Sequence, residues 1–170
     1  MIETVRLRLR RFGEADRETV ARWNADPLFT RYLAGMQTRE QSDEAFDRWE
    51  RHWREHGFGQ LAVEWAETGE LIGRVGPTFH SVWPRDPEVG WALDPPWWGK
   101  GIATEAGTAA VAWAFGELDY PRVVSITTEA NTASRNVMAK VGFWLHERVP
   151  SEWGELWVHA LDRDPDQLER

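Results

Sequence analysis

The sequence predicts a single α+β domain built from about seven strands and about four helices. Its 170 residues suit one domain that folds unaided. Apolar residues make up 42% of the chain and charged residues 28%, a balance typical of globular rather than disordered proteins. Stretches with a period of two alternate with stretches of helical period, and no linker or repeat divides them. We therefore assign residues 1–170 to one domain, of which 162–170 form a charged tail.

The first half of the chain predicts a strand and then two helices. Leu7 and Leu9 alternate with arginines, which is typical of a strand with one buried face, and Val5 extends the pattern. A helical pattern covers 14–24 and ends before a proline. The next helix has both ends marked: Thr38 has a glutamine at capping-box spacing, and Gly57 is the residue type that ends helices.

The second half predicts six strands and two helices. Alternating residues at 61–66 and 71–79 flank a glycine-containing turn and indicate a hairpin. A strand at 88–93 ends at two prolines, and the helix at 103–118 is apolar over most of its circumference. The remaining predicted elements are a strand at 123–128, a helix at 131–141 and strands at 143–149 and 156–161.

Composition excludes several classes of function. A formal net charge of −8 argues against a general affinity for nucleic acid, which depends on Lys and Arg. No apolar run reaches the roughly 18 to 20 residues of a membrane helix. The chain has no cysteine, and with no secretory pattern near its start it is predicted to be cytoplasmic. Its five histidines lack metal-site spacing, so no metal site is predicted.

The most informative local feature is a sharp turn between a strand and a helix that contains Gly99 and Gly101. Glycines let a backbone approach a ligand closely, and the free amides of a helix N-terminus bind phosphate. The spacing fits neither the P-loop nor the dinucleotide-binding fingerprint. On its own, the turn is better explained as a tight connection between strand and helix.

Two motifs together resemble those of the GNAT acyltransferases. The first runs from Glu88 to Ala106; the second includes 131–134 and continues through 140–143. The paired motifs and the order of strands and helices are similar to this family over essentially the whole chain. More narrowly, they look like the branch that contains the ribosomal-protein N-terminal acetyltransferases. The resemblance implies a mixed, mostly antiparallel sheet flanked by helices, with splayed central strands that hold acetyl-CoA.

The resemblance also implies which residues bind acetyl-CoA. Backbone amides of the turn would hold its pyrophosphate, and the preceding strand would face the pantetheine arm. The residues in these two roles are Trp91, Ala92, Leu93, Trp98, Gly99, Lys100, Gly101, Ile102, Ala103 and Thr104. Trp98 stands where the family usually has Arg or Gln, a change that leaves binding by backbone amides intact. Asn131 matches a family asparagine that hydrogen-bonds pantetheine, and helix capping is its plain alternative role.

The catalytic residues are implied less directly. The position of a tyrosine acid in many members falls on Met138, which cannot donate a proton, so Ser134 inherits the role if a dedicated acid exists. An amine is mostly protonated at neutral pH, and a carboxylate could take that proton. Glu88 is the first candidate because it begins the strand that faces the cofactor, and Asp86 and Glu129 are the others. An ion pair with an arginine is the structural alternative for Glu88.

These assignments predict an acetyl-CoA-dependent N-acetyltransferase that passes acetyl directly to a primary amine in a ternary complex. A backbone amide near Trp91 or Ala92 would stabilise charge on the thioester oxygen. The acceptor is either a protein N-terminus, as the resemblance implies, or a small cationic amine, as the acidic composition implies. The alternative function is a noncatalytic CoA-binding regulatory module with the same fold. A homodimer is left open.

The twelve tryptophans fall into three predicted groups. Those assigned to the core are Trp49, Trp53, Trp65, Trp113, Trp144 and Trp157. Those around the cofactor turn are Trp91, Trp97 and Trp98. The others lie near predicted loops and are expected to form an apolar wall at the acceptor site: Trp23, Trp83 and Trp153.

Overall fold

A computed structural model describes residues 1–152 and 154–164, which form one eight-stranded sheet with four α-helices. The strands are β1 (Ile2–Glu3), β2 (Leu7–Arg11), β3 (Leu61–Trp65), β4 (Leu71–His80), β5 (Trp83–Leu93), β6 (Arg122–Thr128), β7 (Trp144–Ser151) and β8 (Gly154–Asp162). The helices are α1 (Arg17–Asn24), α2 (Arg39–His56), α3 (Ile102–Gly116) and α4 (Thr132–Val141). Within these residues, no helix has the length and apolar character needed to span a membrane.

The sheet is mixed and mostly antiparallel, in the order β1-β2-β3-β4-β5-β6-β8-β7. Its one parallel pair is β5 with β6, and the described strands pair there only between Glu88 and Val124. Beyond that point β5 continues to Leu93 and β6 to Thr128 without further pairing to each other. The predicted α+β architecture is confirmed, and the two central strands are splayed.

The N-terminal segment differs from its prediction, because it forms two strands rather than one. The chain reverses between β1 and β2, where the amide of Thr4 donates to the carbonyl of Leu7 at 3.0 Å. Val5 lies in this reversal and is 95% exposed, whereas Leu7 and Leu9 are fully buried. The sheet therefore has eight strands instead of the expected seven.

The sequence features that predict the two ends of α2 are confirmed. The amide of Gln41 donates to Thr38 Oγ1 at 3.2 Å, and the amide of Thr38 donates back to Gln41 Oε1 at 2.9 Å. Gly57 ends the helix at a φ of 76°. These contacts form the capping box that the spacing predicts.

Two residues of the predicted charged tail, Asp162 and Arg163, make contacts with the folded domain. Asp162 still belongs to β8 and accepts a hydrogen bond from Arg122 Nε at 2.6 Å. Arg163 donates to the carbonyl of Phe115 at 3.0 Å. Residues 165–170 and Trp153 lie outside the described residues.

Apolar clusters cover both faces of the sheet. On the α3–α4 face, Leu9 and Val89 pack with Ile102 of α3 and Met138 of α4. On the α1–α2 face, the cluster is Phe12, Val20, Trp23, Phe29, Phe46 and Ala62, and Ala92 of β5 packs against it. Successive residues of β5 thus contribute to opposite faces.

Three tryptophans do not fulfil their predicted roles. Trp23 and Trp83 are only 1% and 3% exposed, so neither forms a wall open to an acceptor. Trp23 lies inside α1, and Trp83 lies at the start of a β5 that is longer than predicted. Trp144 is 46% exposed rather than in the core, because β7 is the edge strand of the sheet.

Candidate active site

A cavity of about 590 Å³ lies where β5 and β6 separate. Its size is within the usual range for small-ligand sites. Its lining includes every residue predicted to bind cofactor except Lys100, together with Ser134: Trp91, Ala92, Leu93, Trp98, Gly99, Gly101, Ile102, Ala103, Thr104 and Asn131. Glu88 is not in the lining. The sequence motifs thus converge on one concave region although 131 is far from 91 along the chain.

The turn before α3 presents a row of free backbone amides. Gly99 and Gly101 have φ values of 74° and 75°, in the left-handed region that favours glycine. In the described part of the chain, no amide from 99 to 104 donates to another group, and the first intrahelical bond is from Glu105 to the Gly101 carbonyl at 3.1 Å. We call the amides of 99–104 the amide cradle. Such a cradle at a helix N-terminus fits a pyrophosphate.

The amide cradle is fastened from behind by the turn between β1 and β2. Arg6 donates from Nε to Glu105 Oε2 at 2.7 Å and from Nη1 to the Lys100 carbonyl at 3.0 Å. Thr4 Oγ1 donates to Glu105 Oε1 at 2.6 Å. Burial alone would raise the pKa of Glu105, but the bonds from Thr4 and Arg6 outweigh it and lower that pKa. We call Arg6 and Glu105 the clamp of the cradle.

Lys100 is not in the cavity lining, although the ring beside it, that of Trp97, is. Its Nζ lies 4.8 Å from the ring centroid of Trp97, in a cation–π arrangement. Lys140 is instead the lysine in the lining, a position that the sequence analysis did not single out.

One edge of β5 is open toward the cavity. The amide of Asp94 donates to the carbonyl of Ile72 in β4 at 2.9 Å. Backbone groups alternate in direction along a strand, so Ala92 also faces β4, whereas Trp91 and Leu93 face the open edge. The Leu93 carbonyl there accepts a bond from Trp98 Nε1 at 2.7 Å. Of the two amides predicted near the thioester oxygen, the geometry favours that of Trp91.

Helix α4 contributes the second motif. Asn131 caps it, because its Oδ1 accepts the amide hydrogen of Ser134 at 3.2 Å. The amide nitrogen of the Asn131 side chain remains able to donate to a ligand. Ser134 and Val137 line the cavity, whereas Met138 is fully buried in the core. A residue at 138 therefore does not reach the cavity in this chain.

Glu88 lies where the pairing of β5 and β6 ends. Its Oε1 is 3.8 Å from the position a β-carbon would take on Gly90, so the carboxyl lies along the strand on the α1–α2 face. Burial raises the pKa of Glu88, while the charges of His80 and Arg74 act in the opposite direction. Burial also lowers the pKa of Arg74 to about 10. Glu88 is thus a half-buried carboxyl next to the splay.

The other predicted bases are placed less favourably. Asp86 accepts a hydrogen bond from Trp83 Nε1 at 3.0 Å, which occupies its carboxylate. Glu129 is exposed, and its backbone carbonyl accepts from Arg135 at 3.0 Å. Like Glu88, neither residue lines the cavity, but neither lies where β5 and β6 separate on the strand that faces it.

The sequence analysis missed one wall of the cavity. It comes from the segment between α1 and α2 and consists of Leu28, Phe29, Arg31, Tyr32 and Leu33. Phe29 belongs to the cluster that includes Ala92, so this wall is on the α1–α2 face. A run of apolar residues in a predicted loop was the signal that could have found it.

The described residues contain no group of three or more His, Asp or Glu side chains that could hold a metal ion. His52 and His56, four residues apart on α2, have ring centroids 4.4 Å apart and pack beside Phe58 and Phe79. His52 Nδ1 also bonds to the Phe58 carbonyl at 2.8 Å. The histidine pair is therefore part of an aromatic cluster.

Comparison with known proteins identifies the family. A profile described as "Acetyltransferase (GNAT) domain" matches residues 6–144. The chain belongs to the GNAT acetyltransferase family. It is 29% identical over 147 residues to the uncharacterized N-acetyltransferase YoaA of Bacillus subtilis, with 84% of this chain and 82% of YoaA covered. The family match makes the chain an acyltransferase, and acetyl-CoA is the acetyl donor of the family.

Solved structures share the fold of this GNAT chain. An acetyltransferase from Agrobacterium tumefaciens is 30% identical with a TM-score of 0.86, and the match covers 95% of this chain and 94% of the other. A ribosomal-protein-S5-alanine acetyltransferase from Vibrio fischeri is 18% identical with a TM-score of 0.76, and the match covers 96% of each chain. At that lower identity the likeness is one of fold alone.

Proposed function

We propose that this protein transfers acetyl directly from acetyl-CoA to a primary amine, with both substrates bound at once. The observation that carries the proposal is the position of the cavity at the splay. The amide cradle belongs to α3, which packs on the α3–α4 face, and Glu88 is on the α1–α2 face. A donor held by the cradle would present its acetyl group at the gap between the two faces. The chain has no cysteine, so no acyl-cysteine intermediate is available.

The cradle and its surroundings would hold the donor in three places. The amides of 99–104 would bind the pyrophosphate. The open edge of β5 at Trp91 and the side-chain amide of Asn131 would bind the pantetheine arm. Lys140 would add positive charge at the rim of the cavity. Acetyl-CoA supplies a thioester whose carbonyl carbon accepts the amine nitrogen.

The chain's own groups would manage charge and protons during transfer. Glu88 would take a proton from the incoming ammonium, and its raised pKa makes it a stronger base than an ordinary carboxylate. The Trp91 amide would donate to the carbonyl oxygen as negative charge develops there. The nitrogen–carbon bond forms first, and the carbon–sulfur bond then breaks. The proton that the nitrogen loses passes to the departing thiolate, to which Ser134 would donate a hydrogen bond.

Three finer expectations from the sequence belong to this proposal. A protein N-terminus is the acceptor that the ribosomal-protein branch of the family suggests, and a small amine is the alternative. A cytoplasmic location and a homodimer stay predictions, which subcellular fractionation and analytical ultracentrifugation would test.

Substitution of Glu88 tests the mechanism. Glu88→Gln should lower kcat at pH 7 by on the order of 10² to 10⁴, because the amine loses its base. The rate should recover as pH approaches the pKa of the amine, since more acceptor is then neutral without help. The measurement is CoA release from pH 6 to 10. Asp86→Asn and Glu129→Gln serve as matched variants.

Three results would change the assignment. Full activity of Glu88→Gln at pH 7, with loss in one of the matched variants, would move the base to that residue. A loss that does not recover at high pH would make Glu88 structural. If acetyl-CoA raises the melting temperature but no amine from a broad panel releases CoA, the noncatalytic regulatory module would replace the proposed function.

A further inference from the structure

The cavity wall on the α1–α2 face exposes large apolar side chains. The exposed fractions are 54% for Leu28, 42% for Tyr32 and 38% for Leu33. Trp98 is 48% exposed and lines the same cavity. We call Leu28, Tyr32 and Leu33 the apolar wall, and Trp98 belongs to the turn that precedes the amide cradle. Soluble proteins rarely gather exposed apolar side chains at one place unless something binds there.

The apolar wall is fixed by the residues behind it. Phe29 stacks on Trp23 with ring centroids 5.3 Å apart and planes at 10°. Trp23 Nε1 in turn donates to the buried carboxylate of Asp94 at 2.9 Å, just before the cradle turn. Thr30 is 3% exposed and donates its hydroxyl to the Asp26 carbonyl at 2.8 Å. The wall is therefore formed before a ligand arrives, which lowers the cost of binding.

The apolar wall and the amide cradle lie on different faces of the sheet. Phe29 and Ala92 share a cluster on the α1–α2 face, where the Glu88 carboxyl also lies. The amide cradle is at the N-terminus of α3, which packs on the other face. An amine that reaches the splay from the side of Glu88 would pass the apolar wall.

The charge of the cavity is opposite to that of the chain. The chain has a formal net charge of −8, yet none of the described residues that line the cavity is Asp or Glu. Arg31 and Lys140 do line it. The charges of His80 and Arg74 act on Glu88. Within this lining, a second ammonium group on an acceptor would meet cations and no carboxylate.

We propose that the acceptor is a primary amine with one positive charge and an adjacent apolar group, which lies against the apolar wall. Polycations such as polyamines and aminoglycosides would be poor acceptors. This inference rests on the proposed function, because the wall selects an acceptor only if an amine is acetylated beside Glu88. Burial of one apolar group is worth roughly tenfold to a hundredfold in kcat/KM.

An acceptor panel with the full chain tests the inference. CoA release at saturating acetyl-CoA would be measured with phenethylamine, with peptides that begin with Leu or with Lys, and with spermidine and kanamycin. We expect kcat/KM to be at least tenfold higher for phenethylamine or the Leu peptide than for either polycation. Comparison of phenethylamine with the Leu peptide shows whether the amine belongs to a small molecule or to a protein N-terminus.

The outcomes distinguish this inference from the function on which it rests. A preference for spermidine or kanamycin would overturn the inference and leave the acetyltransferase intact. Release of CoA with none of the amines would overturn the proposed function, and the inference with it.

A pair of variants locates the selectivity on the wall. Leu33→Glu should lower kcat/KM for phenethylamine by roughly tenfold, and KM for acetyl-CoA should stay within about twofold. Met36→Glu is the matched control, because Met36 is 65% exposed close by on the same segment but does not line the cavity. Equal losses in both variants, or no loss in Leu33→Glu, would overturn the role of the wall. Thermal melts would verify that both variants are folded.

Discussion

Two regions of this acetyltransferase use charge in opposite ways. Around α1, arginines bond several carboxylates each: Arg10 Nη1 is 2.6 Å from Asp16 and Arg10 Nε is 2.7 Å from Glu64. Arg17 likewise bonds Glu14 at 2.8 Å and contacts further acids on α2. In the cavity, by contrast, the described lining contains no carboxylate.

The difference shows why total charge is a poor guide to the acceptor. None of the described lining residues is acidic, so the net charge of −8 arises outside the cavity. Around α1, the arginines pair with carboxylates of neighbouring elements. The cavity instead keeps free amides, a free side-chain amide on Asn131 and exposed apolar side chains, all of which need a ligand.

The largest expected effect on acetyl-CoA binding comes from a substitution in the amide cradle. Gly101→Asp strains a left-handed residue and adds a carboxylate whose β-carbon would lie 3.6 Å from Arg6 Nη2, so the clamp is disturbed as well and KM for acetyl-CoA should rise on the order of 100-fold. Gly57→Asp is the matched control: it has nearly the same φ, 76°, and open space around it, but it ends α2 outside the lining. Unchanged acetyl-CoA affinity in Gly101→Asp would disprove the cradle assignment.

A smaller effect should follow from loosening the clamp. Arg6→Ala removes the bonds to Glu105 and to the Lys100 carbonyl, so the cradle should lose its fixed geometry. We expect KM for acetyl-CoA to rise about tenfold with kcat within about twofold, because the clamp positions the donor site and touches no reacting atom. Isothermal titration with CoA would measure the same loss directly.

The control for the clamp is another arginine pair. Arg122 donates to both oxygens of Asp162, at 2.6 Å and 3.1 Å, away from the lining. Arg122→Ala should leave both kinetic constants unchanged, and Arg6→Lys should recover part of the affinity. A fall in melting temperature without any change in KM would make Arg6 a purely structural residue.

Sequence patterns predicted most of the fold because their signals are local. The capping box at Thr38, the left-handed glycine at 57 and the alternation of β2 each act within a few residues. The glycines at 99 and 101 predicted the turn for the same reason. The family resemblance carried by this turn and by the second motif near Asn131 predicted about half of the residues that line the cavity.

What the sequence could not predict depends on contacts between distant segments. Val5 continues an alternating pattern but lies in the reversal between β1 and β2. In this reversal the Arg6 amide donates to Glu105, which is far away along the chain. Trp144 has the composition of a core residue, and only the strand order places it at an edge. The wall at 28–33 depends on Trp23 bonding Asp94, 71 positions away. The face on which Glu88 lies follows from the register with β4.

The smallest kinetic effect is expected from a substitution that breaks the arginine–carboxylate pairs around α1. Arg10→Ala leaves the buried carboxylate of Asp16 and the half-buried carboxylate of Glu64 without their partner, so the free energy of unfolding at pH 7 should fall by about 1 to 2 kcal/mol, between the values for exposed and buried pairs. Both kinetic constants should stay within about twofold. Burial alone would raise the pKa of Asp16, but bonds from Arg10 and the Gly13 amide lower it.

The sign of the pH dependence of this variant follows from that lowered pKa. A carboxyl whose pKa is lower in the folded state stabilises the fold above its unfolded pKa of about 4, and this contribution is lost as pH falls through the folded value. The stability gap between wild type and Arg10→Ala should therefore narrow from pH 7 to pH 3 in urea denaturation. A gap that stays constant would mean that Arg10 stabilises β2 by packing of its side chain and not through the carboxylates. A change in the KM for acetyl-CoA would show that the arginine–carboxylate pairs around α1 and the cavity are coupled, which would contradict the contrast between the two regions.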